Sequence, residues 1–255
     1  MYDIVGDIHG HASRLEQLLE RMGYKQDAKS WRHPDRQAIF VGDFIDRGPE
    51  QIETYRLVRA MIDRGAALAV MGNHEFNAVA FKTPQPEDPG ERLRPHTEKN
   101  RNQHAAFLDQ IGEDSALHDE MIAWFRTLPL YLDLEGLRVV HACWHAASLQ
   151  TLKPLLDHRQ CLHADAWLDA ARKGTNAYHA AETVLKGLEI PLPGGSIFWT
   201  RTATNAGTFE PAGGAKAPAP FARSLCWMTP PAKPSRISLY HQTCCRVTPT
   251  TNPYS

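Results

Sequence analysis

The sequence predicts an α/β fold, a parallel sheet with helices on its faces. Three observations predict it. Short apolar runs at residues 2–5, 38–41 and 66–71 read as buried strands. Segments with helical apolar spacing fill the gaps between them. Strands joined by helical crossovers must pair in parallel.

The elements follow in order. Residues 11–22 read as a helix, because Leu15, Leu18, Leu19 and Met22 share a face and Gly23 offers a stop. Pro49 opens the next helix, with Ile52, Tyr55, Val58, Met61 and Ile62 inward, and Gly65 ends it. Residues 83–95 carry four prolines and many charges, too polar a stretch to join a core. Residues 100–111 and 117–128 have helical spacing, so 83–128 is a candidate lid. Residues 130–134 and 137–141, joined at Glu135-Gly136, read as a hairpin. Three helical stretches follow, ending near Leu188.

Bulk properties narrow the function classes. A chain of 255 residues with 42% hydrophobic side chains and net charge −1 can bury a core of ordinary size. That charge gives no electrostatic footprint for a nucleic-acid polymer. No apolar run nears the roughly 20 residues of a membrane helix, and no signal peptide is expected. Five cysteines without a C-x-x-C spacing suit neither a disulfide framework nor a zinc–thiolate site. The expected setting is cytoplasmic, without membrane or nucleic-acid partners.

Chemistry concentrates where the strands end. Asp7-Ile8-His9-Gly10 follows the first, Gly42-Asp43-Phe44-Ile45-Asp46-Arg47-Gly48 the second, and Gly72-Asn73-His74-Glu75 the third. His141 follows Val139-Val140. Singly, Asp7, Asp43 or Asp46 reads as well as a helix cap. Together they set carboxylate, imidazole and amide ligands at strand ends, where α/β folds place ligands. Asp7 and His9, two apart on extended chain, can converge on one ion. Gly6, Gly10, Gly42, Gly48 and Gly72 permit close turns there.

These motifs resemble the calcineurin-like metallophosphoesterases, in the branch that holds the Ser/Thr phosphoprotein phosphatases and the diadenosine-tetraphosphate hydrolases. The resemblance covers residues 1–195. It implies a four-layer α/β/β/α sandwich with a helical lid insertion at 83–128. It implies two divalent ions, Mn, Fe or similar, held by Asp7, His9, Asp43, Asn73 and His141, with Asp43 bridging. Between two such ions water becomes a nucleophile toward phosphorus. His74 is then the expected proton donor, oriented by Asp46. Arg47 and Asn73 are expected to bind the phosphate. Glu75 is either a partner that orients a ligand or a first-turn helix acid. His145 reads as a satisfied polar residue. His104, His118, His158, His163 and His179 read as solvated surface.

The expected activity is metal-dependent hydrolysis of a phosphomonoester, in the manner of a Ser/Thr protein phosphatase. The alternative is a bis(5'-nucleosyl)-tetraphosphate hydrolase, which the few aromatics before Phe107 in the lid do not favour. Substrates would be phosphorylated small molecules, nucleotides or phosphoproteins.

The segment 196–255 departs from the pattern. It carries six basic residues and one acidic, Glu210, against 22 and 28 before it. Three of the five cysteines fall here, and no helical or alternating period survives. The family's late Gly-His is missing, and the only histidine is His241. Written into codons and read one base earlier, 199–214 gives charged, globular-looking sequence. The segment is thus expected to be irregular, either an out-of-frame or truncated end or a Pro-rich disordered tail. An inactive remnant is the third functional expectation.

Overall fold

The computed structural model describes residues 1–28 and 30–188, and the backbone of 238–240. Strand β1 (Tyr2–Val5) leads to helix α1 (Ala12–Arg21). A two-stranded ribbon follows, β2 (Lys25–Gln26) and β3 (Trp31–Arg32). Next come β4 (Gln37–Phe40), α2 (Gln51–Asp63), β5 (Ala67–Ala69) and α3 (Asn73–Lys82). After the 83–95 loop stand α4 (Glu98–Ile111) and α5 (Ala116–Phe125). The antiparallel hairpin β6 (Tyr131–Leu134) and β7 (Leu137–Val140) comes next. Helices α6 (Ala146–Leu152), α7 (Ala166–Ala171) and α8 (Asn176–Lys186) follow, with a short 3₁₀ turn after α6. Strand β8 (Ser238–Tyr240) pairs in parallel with β1.

The main sheet runs β5-β4-β1-β8, all parallel. Its two faces follow from the period of two along each strand. Val5, Ala38, Phe40, Ala67 and Ala69 face a core shared with the helices. Ile39, with Ile4 and Leu68 beside it, meets Leu137 and Val139 of the hairpin. Helices therefore cover one face and the hairpin strands the other, as a layered α/β fold requires. Each fully buried large side chain, such as Phe40 or Met61, contributes about 1.5–3 kcal/mol relative to exposure.

Two elements have no clear signature in the sequence. The β2–β3 ribbon is too short to show a period. Helix α3 is buried almost all round, through Phe76, Ala78, Val79, Ala80 and Phe81, so it shows little amphipathic contrast. The expectations for 196–255, including His241, lie outside the described residues, save that Ser238–Tyr240 form a strand. Among the described residues no helix is long and apolar enough to cross a membrane.

Candidate metal centre

Because β1, β4 and β5 run the same way, their ends reach one edge of the sheet and deliver Asp7, His9, Asp43 and Asn73 together. β7 brings His141 to the same place. Asp43 is buried, and its Oδ2 is the common point. His141 Nε2 lies 3.5 Å from it, His9 Nε2 3.8 Å and His74 Nε2 3.9 Å. Asp7 Oδ2 lies 3.8 Å from His9 Nε2, and Asn73 Oδ1 3.2 Å from His141 Nε2. Two ligand groups result, His9–Asp43–His74 and Asp7–Asp43–His141, and they share Asp43. The sequence sets His74 apart from the ligands, yet its ring stands edge-on to His9 at 4.7 Å.

The imidazoles are oriented from behind. His9 Nδ1–H donates to Ile45 O at 2.9 Å, and His141 Nδ1–H to Val41 O at 2.6 Å. A carbonyl only accepts, so each ring turns a bare Nε2 toward Asp43. His9 Nε2 is buried without a hydrogen-bond partner. Burial holds the His9 pKa below the ordinary histidine value despite the Ile45 bond and the Asp43 charge, so the ring is neutral near pH 7. An orphaned imidazole nitrogen beside a buried carboxylate fits a divalent cation that takes nitrogen and oxygen donors.

The loops that carry these groups are tightly wound. His9, Asp43, Asp46 and Arg47 all have positive φ, at 48°, 56°, 69° and 69°. Such a concentration of left-handed residues within two short motifs is typical of functional sites. Gly72 explains one close approach: a Cβ there would sit 2.3 Å from Asp43 N. Glu75 then locks the approach. Its fully buried carboxylate accepts from Asp43 N and Phe44 N at 2.8 Å, and from Gly72 N at 3.0 Å. Burial, then the Asp43 charge, pushes its pKa up to about 7. Glu75 is thus both of the things the sequence left open, a first-turn acid and a brace behind Asp43. Gly6, by contrast, has open space where a Cβ would stand, and nothing among the described residues requires glycine there.

His74 Nδ1–H donates to Asp46 Oδ2 at 2.5 Å, and the His74 N–H donates to Asp43 Oδ1 at 3.0 Å. In the metal-free protein burial opposes protonation, but the Asp46 bond and the charges of Asp43 and Asp46 outweigh it and raise the His74 pKa. Asp46 is buried too. Burial works against its charge, yet bonds from His104 and His74 bring its pKa below the usual carboxylate value.

His104 corrects the expectation from sequence. It is buried, not solvated, and its Nδ1–H donates to Asp46 Oδ1 at 2.7 Å. Asp46 is therefore gripped by two imidazoles, one from α3 and one from α4. His118 is likewise fully buried, packed edge-on to Phe107. Both histidines sit on buried helix faces, so neither is solvated surface. His158, His163 and His179 are exposed as expected. His145 caps α6 through Ser148, 2.9 Å from Nδ1 to Oγ. Arg47 is exposed, and among the described residues no carboxylate lies within 4.0 Å of its guanidinium.

Parallel strands that deliver a shared carboxylate, ringed by imidazoles, to one sheet edge make a candidate metal centre on an α/β fold. The calcineurin-like phosphoesterase family model matches residues 2–195, and the chain belongs to that family. Relatives are similar over shorter spans. A bis(5'-nucleosyl)-tetraphosphatase PrpE (asymmetrical) of Oceanobacillus iheyensis is 31% identical over 141 residues, 55% of this chain and 54% of that one. A symmetrical bis(5'-nucleosyl)-tetraphosphatase of Janthinobacterium sp. (strain Marseille) is 34% identical over 152 residues, 58% and 47% of the two chains. A metallophosphoesterase structure from Sphaerobacter thermophilus aligns with TM-score 0.37 and 22% identity, covering 55% of this chain and 46% of that one. The chain thus spans about half the length of these relatives.

Proposed function

We propose that the chain is a metal-dependent phosphoric ester hydrolase whose substrates are dinucleoside polyphosphates. The observation that carries the chemistry is Asp43, a buried carboxylate shared by two ligand groups. The substrate class rests on the relatives named as bis(5'-nucleosyl)-tetraphosphatases. The phosphomonoester expectation uses the same site and differs only in what lies beyond the scissile phosphate.

Asp7, His9, Asp43, Asn73 and His141 are the residues that would hold two divalent ions. When bound, such ions polarise a phosphoryl oxygen and lower the pKa of water. The protein's own groups do the rest. Arg47, free of carboxylate partners among the described residues, offers a fork to two phosphate oxygens. Asn73, a neutral ligand, limits the negative charge that an anionic substrate meets. His74 donates its Nε2 proton to the leaving oxygen, and Asp46 fixes the ring through Nδ1. Residues 83–128 form a cover, with α4 reaching the dyad through His104.

The test is turnover of diadenosine tetraphosphate and of p-nitrophenyl phosphate by the full chain, with Mn²⁺ and with excess chelator. The expected result is a higher kcat/KM for the dinucleotide and loss of both activities on chelation. Preference for the monoester would return the substrate to the phosphatase class. Turnover undiminished by chelator would sink the metal roles, and no turnover of either would mark an inactive remnant. His74→Asn should cost about 10²–10⁴-fold on an alkyl phosphate but less on p-nitrophenyl phosphate, whose leaving group needs little protonation.

A further inference from the structure

Arg94 is a half-buried cation beside the site whose hydrogen-bond partners carry no charge. It ends the 83–95 loop, and its backbone N–H donates to Ala80 O at 2.9 Å. The side chain runs back along α3 toward the site. Nη1 donates to Asn77 Oδ1 at 3.1 Å, and Nη2 to Gln103 Oε1 at 2.9 Å. Asn77 lies one helical turn beyond Asn73 and His74, on the same face. Gln103 directly precedes His104, which grips Asp46. The guanidinium is therefore tied to both helices that hold the His74–Asp46 dyad, about one turn of α3 from its imidazole.

Among the described residues no carboxylate lies within 4.0 Å of it. The charges of Glu182, from α8, and of Asp46 act on it from farther away, and Glu182 is itself paired with Lys186 at 2.5 Å. Burial lowers the Arg94 pKa, which marks a charge drawn partly out of water. Arg36 shows the usual remedy, a buried carboxylate, Asp3, at 3.0 Å. Arg126, another half-buried arginine without a carboxylate, lies over the Trp167 ring at 5.1 Å and donates to Thr83, at the far end of α3. Of these three, Arg94 is the one whose fork is held about one turn of α3 from the end where the substrate's phosphate is expected. Arg47 already serves the phosphate over the ligands, and its charge acts on His9. A monoester has nothing further to offer a second arginine, whereas a polyphosphate does.

We propose that Arg94 forms a second anion subsite, which takes a phosphate farther along a polyphosphate chain than the one over the metal ligands. This deepens the function proposed above and rests on it. Isothermal titration tests it without relying on turnover. Inorganic tripolyphosphate and orthophosphate are titrated into the full chain at fixed free Mn²⁺, for wild type, Arg94→Gln and Arg94→Lys, with circular dichroism to check folding. Wild type should bind tripolyphosphate more tightly. Arg94→Gln should weaken tripolyphosphate roughly ten- to a hundred-fold, far more than orthophosphate. Arg94→Lys, which keeps charge but loses the fork, should fall between. Equal losses for both anions in the two folded variants, or equal wild-type affinities, would overturn the subsite while leaving the hydrolase reading intact. Tripolyphosphate binding through Arg94 without any turnover would do the reverse. Binding of neither anion would overturn both.

Discussion

Asp3 and Asp43 are both buried carboxylates at the main sheet, and they are treated in opposite ways. Asp3, inside β1, is fully buried, and its charge is met: Arg36 Nη1 and the Tyr24 hydroxyl each donate to it at 3.0 Å. Asp43, after β4, faces the bare Nε2 atoms of His141 and His9 at 3.5 and 3.8 Å and has no Lys or Arg within 4.0 Å among the described residues. A buried charge needs a partner. Where the chain supplies a cation the carboxylate is structural. Where it supplies lone pairs instead, the arrangement asks for a cation from outside.

Breaking the Asp43 side should have the largest effect. Asp43→Asn removes the charge shared by both ligand groups. Metal content by elemental analysis should fall, and activity should drop by more than about a hundredfold, beyond the usual cost of losing an orienting partner. The metal-free fold should keep its stability, since a poorly compensated buried charge is gone. A variant that retains two ions would end the assignment.

Asp3→Asn should give the opposite phenotype. Arg36 loses its counter-ion, and thermal or urea unfolding should show a loss of about 3 kcal/mol. Metal content should stay at the wild-type level. If both variants lost metal alike, the distinction between the two carboxylates would collapse.

The convergence of side chains on Asp43 is legible in the sequence, and the helix side of the site is not. Asp7, His9, Asp43, Asn73 and His141 sit within a few residues of strand ends, so local chain geometry suffices to bring them together. His104 reaches Asp46 across 58 residues. Only packing decides that, and histidine carries no apolar signal of its own. The signal that does exist is spacing: His104, Phe107 and Ile111 lie at i, i+3 and i+7 on the buried face of α4. The parallel sheet is legible from the alternation of strands and helices. Helix α3 is hidden because burial almost all round leaves little amphipathic contrast.

Asp46 is the intermediate case, a buried carboxylate held by two imidazoles, and His104 tests it. His104→Leu leaves Asp46 Oδ1 without its donor, and turnover should fall about 10–100-fold with metal content unchanged. His104→Asn, whose amide N–H can take the place of Nδ1–H, should recover much of that loss. A purely space-filling role predicts the reverse order, because leucine fills the buried site and asparagine does not.

The last effect, absent at neutral pH, concerns acid stability on the helix side. His118 is fully buried against Phe107, and Phe107 stacks on His104 at 4.7 Å. Burial, followed by the charges of Lys82 from α3 and His104 from α4, lowers the His118 pKa to about 4, while Asp114 and Asp119 act against them. Its ordinary value is 6.5. Between those two pH values the unfolded chain binds a proton that the folded chain refuses, so stability falls as pH drops. The loss begins near pH 6.5 and is complete below pH 4, at most about 3 kcal/mol. His118→Gln removes the titrating group and should flatten the slope of urea-unfolding free energy against pH in that window. Its unfolding free energy at pH 7 will also be lower, because the Asp114 N–H loses a 3.2 Å acceptor. The slope, not the intercept, is therefore the measurement that decides. An unchanged slope would place the acid sensitivity of this side elsewhere, and would separate the stability of α4 and α5 from the imidazole packed between them.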